Sequence, residues 1–118
     1  GEIQTAAVPV ATAQNSVRVV FDNASTNLPA AAKATLDEVA KKMIASPNMR
    51  LQLLAYSASD GDNASQARRT SLFRAITVRS YLIEKEVLSR RIEVRALGNK
   101  FDQAPGDRVD IIMATSAE

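Results

Sequence analysis

Two long stretches with apolar residues at helical spacing, set among four short stretches in which apolar residues alternate, constrain this chain more than any other feature. Val17, Val19 and Phe21 share one face of a predicted strand, because successive side chains point to opposite sides of an extended backbone. Asp22 to Asn27 is turn-like, and Pro29 suits the first turn of a helix, where its missing N–H has no role. Ala32, Leu36, Val39, Ala40 and Met43 then form a single stripe to about Ala45, and Ser46-Pro47-Asn48 stops it. A second strand is predicted over Arg50 to Tyr56. Its apolar residues lie on both faces (Leu51, Leu53 and Ala55; Leu54 and Tyr56), as expected of an interior strand.

The polar run from Ser57 to Asn63, containing Asp60-Gly61-Asp62, predicts a loop. A long helix follows from about Ala64 to Glu86 with Ser65 as its N-cap. Ala67, Ser71, Ala75, Val78 and Leu82 make its buried side, and Leu72, Ile76 and Ile83 are expected to widen that stripe. Arg79 falls inside it, so its head must reach water or a carboxylate. Ile92, Val94 and Ala96 alternate in a third strand; after a loop from Gly98 to Gly106, Val109, Ile111 and Met113 alternate in a fourth. The order βαβαββ predicts an α/β (α+β) domain, one mixed four-stranded sheet covered by two helices. Strands separated by helices should pair parallel, and the short last connection favours an antiparallel pair.

Residues 1–15, rich in Ala, Thr, Val and Gln, are expected to be a flexible arm or linker, with room for a short edge strand at Val8 to Val10. Residues 16–118 form the domain. Gly1-Glu2-Ile3 shows no basic or apolar leader pattern, so any signal or anchor is expected upstream of this fragment. No stretch approaches the ~18 apolar residues of a membrane span.

Composition narrows the chemistry. The chain has no histidine and no cysteine, which removes the usual zinc, iron–sulfur and copper ligand sets and Ser-His-Asp or Cys-His catalysis. No metal or cofactor is expected. The net charge of +2 is too small for a dedicated nucleic-acid binder, and aromatics that could stack on bases are only 4% of residues.

The long helix carries the clearest pattern. Ser71-Leu72-Phe73-Arg74-Ala75 followed by Val78 and Tyr81-Leu82 resembles the Leu-Ser-x-x-Arg-Ala-x-x-Val-x-x-Tyr-Leu run of OmpA C-terminal-like (OmpA/Pal/MotB) domains. Val19 and Phe21, Leu28, Arg91-Ile92, Gly98 and Pro105 fall in the family's order. The closing Asp107-Arg108-Val109-Asp110-Ile111 is similar to its Arg-Arg-Val-Glu-Ile. The resemblance covers residues 16 to 114 and rests on order and spacing rather than on one motif.

That resemblance implies a non-catalytic module that holds the peptidoglycan stem peptide at diaminopimelate, in the periplasm, as part of an outer-membrane or envelope-anchored protein. In the family an Asp in the loop after the second strand and the Arg of the long helix form the clamp. A guanidinium fork suits a ligand carboxylate through two parallel hydrogen bonds, and a carboxylate suits an ammonium. Arg74 takes the place of the family's Arg, and its position predicts a buried root and a free fork. The acid does not carry over: where the family has Gly-His-Thr-Asp, this chain has Ala55-Tyr56-Ser57-Ala58. Asp60 and Asp62 stand nearby as substitutes, or as ordinary solvated turn residues. Ser57 could line the site. Arg108 matches a ligand contact or a sheet-edge ion-pair partner. The family's Asn falls at Ala67, its Leu at Thr70, and the first Arg of its closing pair at Asp107.

Two clusters, Arg68-Arg69 with Arg74 and Arg79, and Arg90-Arg91 with Arg95, are either solvated cations or contacts for wall carboxylates or an acidic protein. Three other readings stand beside the tether. The same fold could dock proteins in an envelope assembly without binding peptidoglycan, a reading favoured by Ala58. An RNA-binding α/β domain would lack stacking aromatics. An enzyme would need Asp60, Asp62 and Asp110 to act without a supporting set.

Overall fold

The computed structural model describes residues 16–22, 25–58, 62–101 and 106–115. The N-terminal arm, Ser59, Asp60 and Pro105 lie outside them. Strand β1 (Ser16–Val20) leads to helix α1 (Ala30–Ala45), strand β2 (Met49–Tyr56), helix α2 (Ala64–Glu84), a 3-10 turn (Ser89–Arg91), β3 (Ile92–Gly98) and β4 (Arg108–Thr115). The mixed four-stranded sheet and two helices are those the pattern predicted.

The strand order is β1-β4-β2-β3. β2 runs parallel to β3, in register from Leu51↔Ile92 to Ala55↔Ala96, and antiparallel to β4, from Met49↔Thr115 to Ala55↔Val109. β1 pairs antiparallel with β4. β2 is thus an interior strand, as predicted, with the Leu54 and Tyr56 face half-buried rather than packed on a helix. The last connection departs from expectation: β3 and β4 are not adjacent, because β4 inserts between β1 and β2.

One face of the sheet packs on the helices. Val19, Leu51, Leu53, Ala55, Ile92, Val109, Ile111 and Met113 point inward against Leu36, Val39 and Met43 of α1 and Ala75, Val78 and Leu82 of α2. Alternation sends Arg18, Gln52, Leu54, Tyr56, Glu93, Arg95 and Asp110 to the other face, which no helix among the described residues covers.

α1 begins after Pro29, whose φ of −66° already suits a helix. The turn from α1 into β2 is closed by Arg91, which donates from Nε to Met49 O (3.0 Å) and from Nη2 to Ser46 O (2.6 Å). α2 is capped by Asn63, two residues before the predicted Ser65: the Asn63 side chain accepts from Gln66 N at 3.0 Å. A second difference concerns Leu72, Ile76 and Ile83, expected to widen the buried stripe. All three are exposed, because the sheet meets only the side bearing Ala67, Ser71, Arg74, Ala75, Val78 and Leu82.

Candidate functional site

Three loops meet at one end of the sheet, at the C-terminal ends of β1, β2 and β3. In open α/β sheets this is the end where ligands are commonly held. β4 runs antiparallel to β2, so the residues just before β4 lie beside those just after β2. Gly98 ends β3 at φ +60°, and its N–H donates to Ser71 Oγ at 3.1 Å. A Cβ at Gly98 would stand 2.9 Å from the backbone N of Arg68, so only glycine lets α2 approach this closely. Small residues along the same side of α2 (Ala67, Ser71, Ala75) complete the close approach.

This closeness decides the environment of Arg74. Its side chain is fully buried, the largest such side chain in the molecule's described core. Nε donates to Ser25 O (2.8 Å) and Nη2 to Asp22 O (3.2 Å), both in the loop after β1. Nη1 donates to Tyr56 O (3.1 Å) and to Asp107 Oδ1 (2.8 Å). The guanidinium carbon also lies 5.3 Å from the centre of the Phe21 ring. A buried cation demands such a set, since an unpaired one is very costly. The fork is therefore engaged within the protein rather than free, as its position at the edge of the stripe had led us to expect.

Asp107 is the second centre of the arrangement. Its carboxylate takes the ion pair from Arg74 and accepts the Ala58 N–H at 2.8 Å, while its backbone O accepts from Phe21 N at 2.8 Å. One residue thus ties together the loop after β1, the loop after β2 and α2. Its side chain keeps 16% of its surface exposed, so the carboxylate lies at the boundary between the buried cation and solvent. Beside it, a Cβ at Gly106 would meet the Phe101 ring at 2.6 Å and the Ala58 Cβ at 2.8 Å, which leaves no space for a larger residue at 106.

The other sequence-derived candidates are distributed differently. Ser57 is buried at this same end, its N–H donating to Gly98 O at 2.8 Å. Asp62 is exposed just before the Asn63 cap and makes no ion pair among the described residues. Asp60 lies outside them. Arg108 follows Asp107 and, by strand alternation, turns to the face away from the helices. There it stacks 4.3 Å from the Tyr56 ring centre and pairs with Asp110 at 3.0 Å, which also holds Arg18 at 3.0 Å. Arg108 therefore sits in an ion-pair chain across an interior strand, not at a sheet edge. Among the described residues, no group of three or more His, Cys, Asp or Glu could hold a metal ion, and no helix is long and apolar enough to cross a membrane.

A family model for the OmpA family matches residues 20–108, well over half of the sequence. The chain belongs to the OmpA family. Solved structures agree on the fold. The OmpA-like domain of FopA1 from Francisella tularensis subsp. tularensis SCHU S4 superposes with a TM-score of 0.75 at 16% identity, covering 87% of this chain and 74% of that one. The peptidoglycan-associated lipoprotein from Burkholderia pseudomallei gives 0.74 at 21% identity, over 82% and 89%. The periplasmic domain of Helicobacter pylori MotB gives 0.69 at 17% identity, over 86% and 76%. No curated protein is significantly similar in sequence.

Against the OmpA-family motif, two departures noted separately in the sequence now form one feature. On the correspondence that the resemblance implies, position 58 has an Ala where the family's loop acid is expected, and position 107 has an Asp where an Arg is expected. In space these positions touch, through the Ala58 N–H to Asp107 bond. An acid is present beside Arg74, delivered from the strand on the other side. Sequence reasoning missed Asp107 as a site residue. The signal that could have found it is the paired loss and gain of a carboxylate within one motif set.

Proposed function

We propose that this domain is a non-catalytic module that anchors a larger envelope protein to peptidoglycan in the periplasm, gripping the stem peptide at its diaminopimelate. The observation that carries this reading is the Arg74–Asp107 pair, 2.8 Å apart at the meeting point of three loops, with the carboxylate at the solvent boundary. A zwitterionic amino-acid end matches such a pair. Its ammonium meets Asp107, and its carboxylate takes the Arg74 Nη1 N–H that Asp107 releases as it turns outward, so one ion pair becomes two. Charge-assisted bonds of roughly 1.5–3 kcal/mol each would support binding on the order of micromolar after association costs. Ser57 is buried beneath the loop, exposed Asp62 is an acceptor for a further ammonium or hydroxyl group, as Asp60 of the same loop is proposed to be from its sequence position alone, and Arg108 serves the site indirectly by fixing Tyr56.

A second reading keeps the fold for protein–protein docking without peptidoglycan. It is favoured by the complete burial of Arg74, whose donors already meet protein acceptors. Sedimentation with purified peptidoglycan at low salt separates the two. Pelleting of the parent chain that is lost in an Asp107→Ala variant, with folding checked by circular dichroism, supports the tether. A folded parent chain that stays in the supernatant rejects it in favour of docking.

A further inference from the structure

Helix α2 has two apolar faces, and the sheet covers only one of them. Leu72, Phe73, Ile76 and Ile83 are 39%, 50%, 42% and 38% exposed, on the side opposite Arg74, Ala75, Val78 and Leu82. Leu72, Ile76 and Ile83 follow one another at helical spacing, with Phe73 beside them, so the four form a strip along the outside of the helix.

The charges on this strip have one sign. Arg69 lies one turn before Leu72 and Phe73, Arg68 one turn before Leu72, and Arg79 between Ile76 and Ile83. α2 has no acidic residue before Glu84. Among the described residues none of these three arginines forms an ion pair. The acids within reach of other cations are already engaged: Asp37 with Lys85, Glu93 with Arg95, and Asp110 with Arg18 and Arg108.

We propose that the outer face of α2 is a docking surface for an acidic amphipathic helix of a partner protein. Its apolar side chains cover Leu72, Phe73, Ile76 and Ile83, and its carboxylates pair with Arg69 and Arg79. From Arg69 to Ile83 the strip is roughly 20 Å long, the reach of about four helical turns. Arginine and aromatic residues without lysine are the composition of protein interfaces, and an arginine fork fits a carboxylate with two bonds. A second copy of the chain fits less well, because a two-fold contact gathers three arginines from each copy against one carboxylate, Glu84 at the end of the strip. A bilayer fits poorly because Arg79 interrupts the strip, so burying both isoleucines would carry its guanidinium into the apolar layer. This surface is independent of the Arg74 site and of the peptidoglycan reading.

The test is an NMR titration of the whole chain with two synthetic helical peptides that share one apolar stripe, one with Glu and one with Lys on its flanks. The Glu peptide should shift the amides around Arg69, Leu72, Phe73, Ile76 and Arg79. It should bind at least about tenfold more tightly than the Lys peptide, and weaken with salt. Phe73→Ser should reduce its binding about tenfold while leaving peptidoglycan sedimentation and the melting temperature unchanged. The proposal is overturned by absence of shifts on this face at millimolar peptide, or by equal binding of both peptides. It is overturned equally by a dimer that Phe73→Ser dissolves, or by pelleting with anionic phospholipid vesicles that Phe73→Ser abolishes.

Discussion

Replacing Asp107 with asparagine keeps the shape of the site and removes its negative charge. The amide oxygen can still accept from Ala58 N or Arg74 Nη1, both 2.8 Å away in the parent, so the loops retain their hydrogen bonds. What disappears is the anion opposite a fully buried guanidinium. Removing one member of a buried pair costs about 3–5 kcal/mol, and the 16% exposure of the Asp107 side chain lowers that to about 2–3 kcal/mol. Unfolding entropy of about 2.1 cal/mol/K per residue gives roughly 0.25 kcal/mol/K for 118 residues, so the melting temperature should fall by about 10 °C. Urea denaturation should show the same loss with an unchanged slope. Combining Asp107→Asn with Arg74→Met should cost less than the two single changes added, with a coupling of about 2 kcal/mol. An Asp107→Asn protein within about 0.5 kcal/mol of the parent would refute the claim that Arg74 depends on this acid.

Three other outcomes follow from the same coordinates. Ala58→Asp places a second carboxylate beside Asp107 and against Gly106, and should destabilise by about 1–2 kcal/mol in urea; adding Asp107→Arg should recover most of that, and a neutral single variant contradicts the exchange of acids. Gly98→Ala imposes a side chain at φ +60° and 2.9 Å from the Arg68 backbone N, so it should cost about 2 kcal/mol, read as a lower urea midpoint. Tyr81 should ionise above its ordinary value of 10.0 in an ultraviolet titration, because its hydroxyl donates to Asp37 at 2.7 Å, with partial desolvation and the charges of Asp37 and Glu84 adding to the shift. The folded state holds that proton more tightly than the unfolded chain, so the stabilisation is whole below pH 10 and fades as pH rises through the raised value. Asp37→Asn should return Tyr81 toward 10.0, and an unchanged titration would contradict the assignment.

The elements were legible because each has a period. Alternation at Val109, Ile111 and Met113, and helical spacing from Ala32 to Met43, are local facts that tertiary structure left intact. The two-sided apolarity of β2 even announced an interior strand. Strand order was not legible: the alternation of β4 is the same whether it lies beside β3 or between β1 and β2. The outer face of α2 misled for a related reason. Period identifies a stripe but not which of two apolar stripes meets the sheet, and Leu72, Ile76 and Ile83 belong to the one that does not. Arg74 was visible as a candidate, yet its burial depends on Gly98 and Ser71 drawing α2 inward, contacts that join residues far apart in sequence.

That an acid at position 107 can stand in for one at position 58 follows from topology. Since β4 lies antiparallel against β2, with Ala55 opposite Val109, the loop leaving β2 and the loop entering β4 share one corner. The Asp107 carboxylate reaches both Arg74 Nη1 and the Ala58 N–H from the loop entering β4. The cation is the fixed member of the pair, since its helix, three carbonyl acceptors and Phe21 hold it in place. The acid only has to arrive. The described Arg74–Asp107 pair is neutral before any ligand reaches it, and Asp107 competes for Nη1 at the high effective concentration of a group on the same chain. A lone anion has little to gain by displacing it. A ligand that brings an ammonium together with a carboxylate gives Asp107 a new partner as it releases the old one, and that exchange is what makes a zwitterion the matching chemistry for this corner of the sheet.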